Sequence, residues 1–205
     1  MPFALELEKS AVGQASVRVE PALNAFGSLL LFAKAEDDTG IHEWVHRTRA
    51  RMSAKELFRH KLVMIGFHYA VVPRQSFASF PEYLAWLEQT PGEDLRAAMF
   101  KSYVEVCMYR EGVARPRVNW DKVLVSAKSY VEFLKKGFDE QYIDEKLEKR
   151  AYEYVIEPDS MKKLITDHLR WFWEEHLEAE WTRVRPMIEK SVKAFQRVDL
   201  NGMPR

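Results

Sequence analysis

Three helix-start signatures recur along the chain, and they constrain its fold more than any other feature. Ser53–Glu56, Ser79–Glu82 and Thr90–Glu93 each place a hydroxyl residue three positions before a glutamate, which is the pattern of a capping box. Only 8 glycines occur in 205 residues, about half of the roughly 7% that is usual. The segments between the prolines are rich in strong helix formers. The sequence therefore predicts a mainly α-helical protein.

The spacing of apolar residues predicts a bundle of about seven to eight helices in a single domain, residues 21–200. Pro186 lies inside the last segment, where proline removes a helix hydrogen bond, so a kink or a break is predicted near Val184–Arg185. The predicted helices cover residues 21–36, 40–51, 53–70, 80–89, 92–111, 119–136 and 139–155, and a final segment from near Pro158 to about Asp199.

The first twenty residues follow a different pattern. Apolar residues alternate with small or polar ones in two stretches, residues 3–8 and 16–20. This period of two is typical of strands and predicts a short β-hairpin appendage over residues 1–20. Residues 201–205 are predicted to be a tail.

Charge and composition exclude several classes of partner. The 31 basic and 31 acidic residues cancel, so no overall field would draw the chain to nucleic acid or to an anionic membrane. The longest apolar runs are far shorter than the roughly 20 residues of a membrane-spanning helix, and no signal-peptide pattern precedes them. A single cysteine, Cys107, excludes an intrachain disulfide framework. We expect a cytoplasmic protein without a membrane anchor or a cofactor.

One string matches a metal-binding motif. His42-Glu43-Trp44-Val45-His46 has the form H-E-x-x-H, in which two histidines on one helix face bind zinc and the glutamate acts as a base. This predicts, as an alternative function, a zinc metallohydrolase with His42 and His46 as ligands and Glu43 as base. The adjacent Arg47 and the lack of an obvious third ligand favour a surface helix instead, with Trp44 as its buried residue.

The final segment carries an aromatic strip. Trp171, Phe172, His176 and Trp181 are the candidate ligand-binding residues, because such side chains can line a pocket for a planar or apolar molecule. The competing interpretation is a wide helix face that packs against several neighbours, and it is favoured because pockets are few.

Four stretches together resemble the amino-terminal helical region of ArsR-type bacterial transcription regulators, a domain of unknown function that precedes a winged-helix DNA-binding domain. The stretches are Glu20-Pro21-Ala-Leu-Asn-Ala-Phe-Gly-Ser28-Leu-Leu, Trp44-Val-x-Arg47-x-Arg49-x-Arg51-Met, Phe80-Pro81-Glu-Tyr-Leu84-x-x-Leu87 and Phe172-x-x-x-His176-x-x-x-Glu180-Trp181-x-x-x-x-Pro186. The pattern includes Trp44 and the arginines after it but not His42 or Glu43, so the zinc-like string looks accidental.

The resemblance implies a non-catalytic regulatory and dimerisation region that senses a ligand. It implies a homodimer as the assembly, and DNA binding only through a winged-helix domain, which would follow about residue 200. A TetR-like repressor is the other helical regulator of similar length. Its helix-turn-helix would occupy the first fifty residues, where the sequence instead predicts a hairpin and an apolar helix.

Overall fold

The computed structural model describes residues 17–35, 42–108, 116–138 and 143–197, and these residues are mainly helical with no strand among them. The predicted mainly α fold class is therefore confirmed. The α-helices are α1 (Pro21–Lys34), α2 (Glu43–Arg51), α3 (Ala54–Lys61), α4 (His68–Val71), α5 (Phe80–Gln89), α6 (Gly92–Ser102), α7 (Trp120–Val123), α8 (Ala127–Gly137), α9 (Glu145–Val155), α10 (Pro158–Phe172) and α11 (Glu178–Phe195).

Within the described ranges, three π-helical segments are continuous with these helices. Leu62–Gly66 follows α3, Tyr103–Cys107 follows α6, and Trp173–Leu177 joins α10 to α11. A π turn contains more residues than an α turn, and such segments occur mostly as single turns, frequently at functional sites. Each segment therefore changes which residues of the following turn face the core.

The hairpin predicted for residues 1–20 is not supported. Residues 1–16 lie outside the described residues, and residues 17–20 lead into α1 without forming a strand. The predicted tail, residues 201–205, also lies outside them. Among the helices described, none is long and apolar enough to cross a bilayer.

Two of the three predicted capping boxes have caps of the expected type. The Ser53 hydroxyl accepts a hydrogen bond from the Glu56 N–H (3.3 Å), and the Glu56 carboxylate accepts one from the Ser53 N–H (2.7 Å). The Ser79 hydroxyl caps α5 by accepting from the Glu82 N–H (3.2 Å). The third box is wrong: Pro91 is the N-cap of α6, and Thr90 donates backwards to the Trp86 carbonyl (2.8 Å).

The predicted single helix over 119–136 divides into α7 and α8. The reason is a second cap, because the Ser126 hydroxyl accepts a hydrogen bond from the Ser129 N–H (3.1 Å) and so begins a new helix. Of the kink or break predicted near Val184–Arg185, the break is wrong, since α11 continues through Pro186. Both Pro186 and Thr182, whose carbonyl loses its helical partner, are exposed, so water can solvate that carbonyl.

A single hydrophobic core runs through the described residues. Helix α10 lies at its centre, where it packs against α5, α6 and α9, while α8 pairs with α9. At the crossing of α6 and α10, a Cβ added to Gly92 would lie only 2.4 Å from the Pro158 carbonyl oxygen. The close approach of these two helix starts therefore requires a residue without a side chain.

Candidate functional site

A cavity of about 470 Å³ lies among α1, α3, α4, α8, α9 and two of the π segments. Most of its lining residues are apolar or aromatic, and a few carry polar groups. Its lining residues are Leu30, Ala33, Lys34, Lys61, Ile65, His68, Tyr69, Tyr103, Leu134, Phe138, Ile143 and Glu148.

Glu148 is the buried carboxyl group of this cavity. It lies on the inner face of α9 beside Leu147 and Ala151, only 7% exposed. Asp144 fixes the start of this helix by accepting from the Leu147 N–H (3.1 Å), one turn before Glu148. The Glu148 Oε2 atom is buried and has no hydrogen-bond partner among the described residues. A buried polar atom without a partner costs about 1–3 kcal/mol of stability, and most buried polar atoms in proteins are hydrogen-bonded. This oxygen is an exception to that rule.

The protonation state of Glu148 follows from its surroundings. Burial raises the pKa of its carboxyl group to about 8, and the nearby Asp144 raises it further in the same direction. At pH 7 the side chain is therefore mostly a neutral carboxylic acid. A group of this kind can donate one hydrogen bond, or it can ionise when a positive charge arrives.

Three aromatic rings form one wall of the cavity. The Tyr103 ring centroid lies 5.7 Å from that of Tyr69 and 5.7 Å from that of Phe138, with each pair nearly perpendicular. The Tyr103 hydroxyl is 3.2 Å from that of Tyr130, whose pKa is raised by burial and by Glu148. The π segment Tyr103–Cys107 thus begins with a residue that belongs to both the core and the cavity.

The basic residues of the cavity lie toward solvent or lack charge. Lys34 is exposed in the last turn of α1, and the Lys61 ammonium lies 3.5 Å from the Asp144 carboxylate. Burial lowers the pKa of His68, against an opposing hydrogen bond with the Met64 backbone. His68 is therefore neutral at physiological pH.

A second buried polar cluster is a histidine pair outside the cavity lining. His60 Nδ1 lies 3.0 Å from His168 Nε2, and His60 Nε2 lies 2.9 Å from the Leu29 carbonyl oxygen. Because Leu29 offers only an acceptor, His60 Nε2 carries the hydrogen and Nδ1 accepts from His168. Burial lowers the pKa of His60 to about 4 and holds that of His168 well below its usual range. Both rings are therefore neutral at pH 7.

The structure brings most of the predicted aromatic strip together, but away from the cavity. Phe172 is fully buried, and its ring centroid lies 4.4 Å from that of His60. The ring centroids of Trp171 and His176 lie 5.0 Å apart. The His176 carbonyl accepts a hydrogen bond from the Trp44 indole (2.9 Å), and Trp181 is buried farther along α11. None of Trp171, Phe172, His176 and Trp181 lines the cavity.

The zinc-like string begins at a helix end. The His42 Nδ1 atom accepts the N-capping hydrogen bond from the Trp44 N–H (3.1 Å), so that nitrogen is already used. Glu43 is exposed and lies 3.7 Å from Arg47, and His46 is also exposed. In the part of the chain that the structure describes, no group of three or more His, Cys, Asp or Glu side chains could hold a metal ion.

Sequence reasoning missed Glu148. It lies within Lys146–Arg150, a run of charges that is typical of a solvated helix face. The signal that could have found it is the apolar stripe Leu147, Ala151 and Val155, because Glu148 stands three residues before Ala151 and shares its side of the helix.

Comparison with known proteins adds no assignment: the chain matches no family model, no curated protein and no solved structure.

Replacement of Glu148 by glutamine is expected to stabilise the protein at pH 8 by about 1–3 kcal/mol. The folded-state pKa of Glu148 is raised above the unfolded value of 4.5, so its contribution to stability is fully present below pH 4.5. That contribution is lost as the pH rises to about 8, because the unfolded chain releases the proton first. Chemical denaturation at several pH values measures this difference.

In the matched control, Glu153→Gln changes an exposed carboxylate of the same helix. We expect this variant to follow the wild-type pH profile. A Glu148→Gln variant that shows the same advantage at pH 5 as at pH 8 would contradict the assignment of a raised pKa to Glu148.

Proposed function

We propose that this chain is a non-catalytic regulatory module of an ArsR-type transcription regulator, which binds a small molecule in the cavity beside Glu148. The cavity is the observation that carries the proposal. Its volume of about 470 Å³ lies in the range of small-molecule sites, which span roughly 300–1,000 Å³. An apolar lining with a few converging polar groups is the composition that such sites have.

Binding is favoured over turnover by the residue types of the lining. No serine, threonine or cysteine occurs among the residues that line the cavity, so its described walls offer no hydroxyl or thiol nucleophile beside a base. The histidine of the lining, His68, faces rings of Phe26 and Tyr69 at 5.5 and 4.9 Å. These contacts are those of a packed side chain.

The position of the cavity also supports a regulatory role. Its lining comes from helices that are distant in the chain, from Leu30 of α1 to Glu148 of α9. A ligand that contacts both would stabilise one arrangement of these helices over others. In this proposal the module is a cytoplasmic homodimer, as the resemblance implies, and a winged-helix domain carries out DNA binding.

The test is the binding of N-phenyl-1-naphthylamine, a neutral probe whose fluorescence rises in apolar surroundings. We expect saturable binding by the wild-type protein and at least tenfold weaker binding by Ala33→Trp, because Ala33 lines the cavity and the indole would occupy it. The control is Ala50→Trp, since Ala50 is exposed on α2.

Circular dichroism shows whether each variant retains the helical fold. Equal binding by the two tryptophan variants would contradict a ligand site in this cavity. Absence of saturable binding by the wild-type protein, for this probe and for 4-phenylbutylamine, 4-phenylbutan-1-ol and 4-phenylbutyrate, would contradict the proposed function.

A further inference from the structure

We infer that the cavity selects an amphipathic organic cation: a protonated amine placed at Glu148 and carried on an apolar body. This inference rests on the proposed ligand-binding function and specifies the chemical class of the ligand. Three independent features of the cavity support it: the unpartnered oxygen, the aromatic wall and the placement of the basic groups.

The first feature is Glu148, which lines the cavity and whose buried Oε2 atom has no hydrogen-bond partner among the described residues. A ligand N–H would supply the missing donor. If the ligand nitrogen is positively charged, the carboxyl group can ionise against it, and a charge-assisted hydrogen bond replaces an unsatisfied atom. A neutral hydroxyl would supply a hydrogen bond but no charge.

The second feature is the wall formed by Tyr69, Tyr103 and Phe138. The Tyr69 and Phe138 ring centroids lie 6.5 Å apart, and Tyr103 stands nearly perpendicular to both. Aromatic ring faces attract cations, and they do so more strongly where water is excluded. Leu30 and Leu134 provide the apolar surface against which the body of the ligand would pack.

The third feature is the placement of the charges around Glu148. Lys61 lies beside Asp144, and Lys34 is exposed to solvent, which screens its charge. His68 is neutral because burial lowers its pKa, and burial keeps the Tyr130 hydroxyl protonated. An anionic ligand would therefore meet Glu148 inside the cavity and lysines only toward solvent.

Binding of a cation is then coupled to the release of a proton from Glu148. The carboxyl group of Glu148, whose pKa is about 8 in the free protein, would release nearly one proton at pH 7 as the amine binds. Affinity for an amine that stays protonated should rise about tenfold between pH 7 and pH 9, because the cost of removing that proton disappears. Affinity for a neutral ligand should not follow this profile.

The experiment compares three compounds with one body: 4-phenylbutylamine, 4-phenylbutan-1-ol and 4-phenylbutyrate. Isothermal titration at pH 8.5 measures their affinities, and titrations at pH 7 in buffers of different ionisation enthalpy count the protons released. We expect the amine to bind at least tenfold more tightly than the alcohol, with the carboxylate weakest, and proton release close to one per amine.

Glu148→Gln removes the ionisable carboxyl group and keeps a side chain of nearly the same shape in the cavity. We expect this variant to bind amine and alcohol within about twofold of each other, with no proton release. Glu153→Gln, the exposed control on α9, should retain the preference for the amine.

Two outcomes overturn the inference while the proposed function stands. One is saturable binding of the alcohol or the carboxylate at least as tight as that of the amine. The other is a preference for the amine that survives in Glu148→Gln. Failure of all three compounds and of N-phenyl-1-naphthylamine to bind would instead contradict the proposed function itself.

Discussion

A single methyl group added at Gly92 is expected to lower the free energy of unfolding by about 2–3 kcal/mol, the upper part of what overpacking a core costs. The Cβ atom of an alanine there would lie 2.4 Å from the carbonyl oxygen of Pro158 and 2.9 Å from the backbone nitrogen of Asp159. These are backbone atoms at the start of α10, so no side-chain rotation relieves the contact. Helix α10 would have to move, and the hydrophobic core packed around it would be disturbed.

Gly27 provides the matched control, because it is a glycine inside α1 and a Cβ added to it would meet nothing within 4 Å. Gly27→Ala should raise the free energy of unfolding by about 0.5–1 kcal/mol, since alanine is the better helix former. Urea denaturation of both variants gives the two values. If Gly92→Ala proved as stable as the wild-type protein, the tight contact between α6 and α10 would be wrong.

Acidification is expected to remove about 3 kcal/mol or more of stability between pH 6.5 and pH 4. Burial lowers the folded-state pKa of His60 to about 4, and that of His168 also lies below the ordinary value of 6.5. The unfolded chain therefore takes up protons first as the pH falls. The contribution of the pair is fully present above pH 6.5 and is lost as the pH falls toward the folded-state values.

The slope of stability against pH tests this prediction, and it does so even for a variant that is less stable overall. His168→Gln should flatten the slope between pH 6.5 and pH 4, whereas His46→Gln, which replaces an exposed histidine, should leave it unchanged. Measurements in a Glu148→Gln background remove the opposing contribution of that carboxyl group. A wild-type slope that persists without His168 would show that the histidine pair is not its origin.

Local sequence signals predicted the helices well where one residue decides the boundary. Helix α5 covers Phe80–Gln89 as predicted, because Ser79 caps it and Pro81 favours its first turn. In the last segment Trp181, Val184 and Val192 follow one another at helical spacing and are buried. Phe195 continues that spacing but is 52% exposed, because the core no longer reaches the end of α11.

Two features of the helix ends and turns could not be predicted in the same way. Thr90 has the spacing of a capping box, yet its hydroxyl donates to the preceding helix because Pro91 takes the cap position. The π segments have no simple periodic signature, so the helix predicted over 92–111 gave no indication that Tyr103 would face a cavity.

The candidate site shows the same limit more strongly. His60 and His168 lie 108 positions apart in the sequence, and only the crossing of α3 and α10 brings their ring nitrogens to 3.0 Å. Glu148 has the sequence context of a solvated charge, and only the packing of α8 and the π segment Leu62–Gly66 against α9 shows that it is buried. By contrast, Phe172 and Trp181 of the predicted strip belong to the hydrophobic core, because burying their large aromatic side chains is favourable.

The π turn at Leu62–Gly66 has a consequence for how such a chain can change length. Loss of one residue from it would return the segment to ordinary α geometry, because a π turn holds one residue more than an α turn. His68 and Tyr69 would then still face the cavity that they line. The same deletion inside α10, which has no π turn to absorb it, would rotate every later residue of that helix by about 100° about its axis.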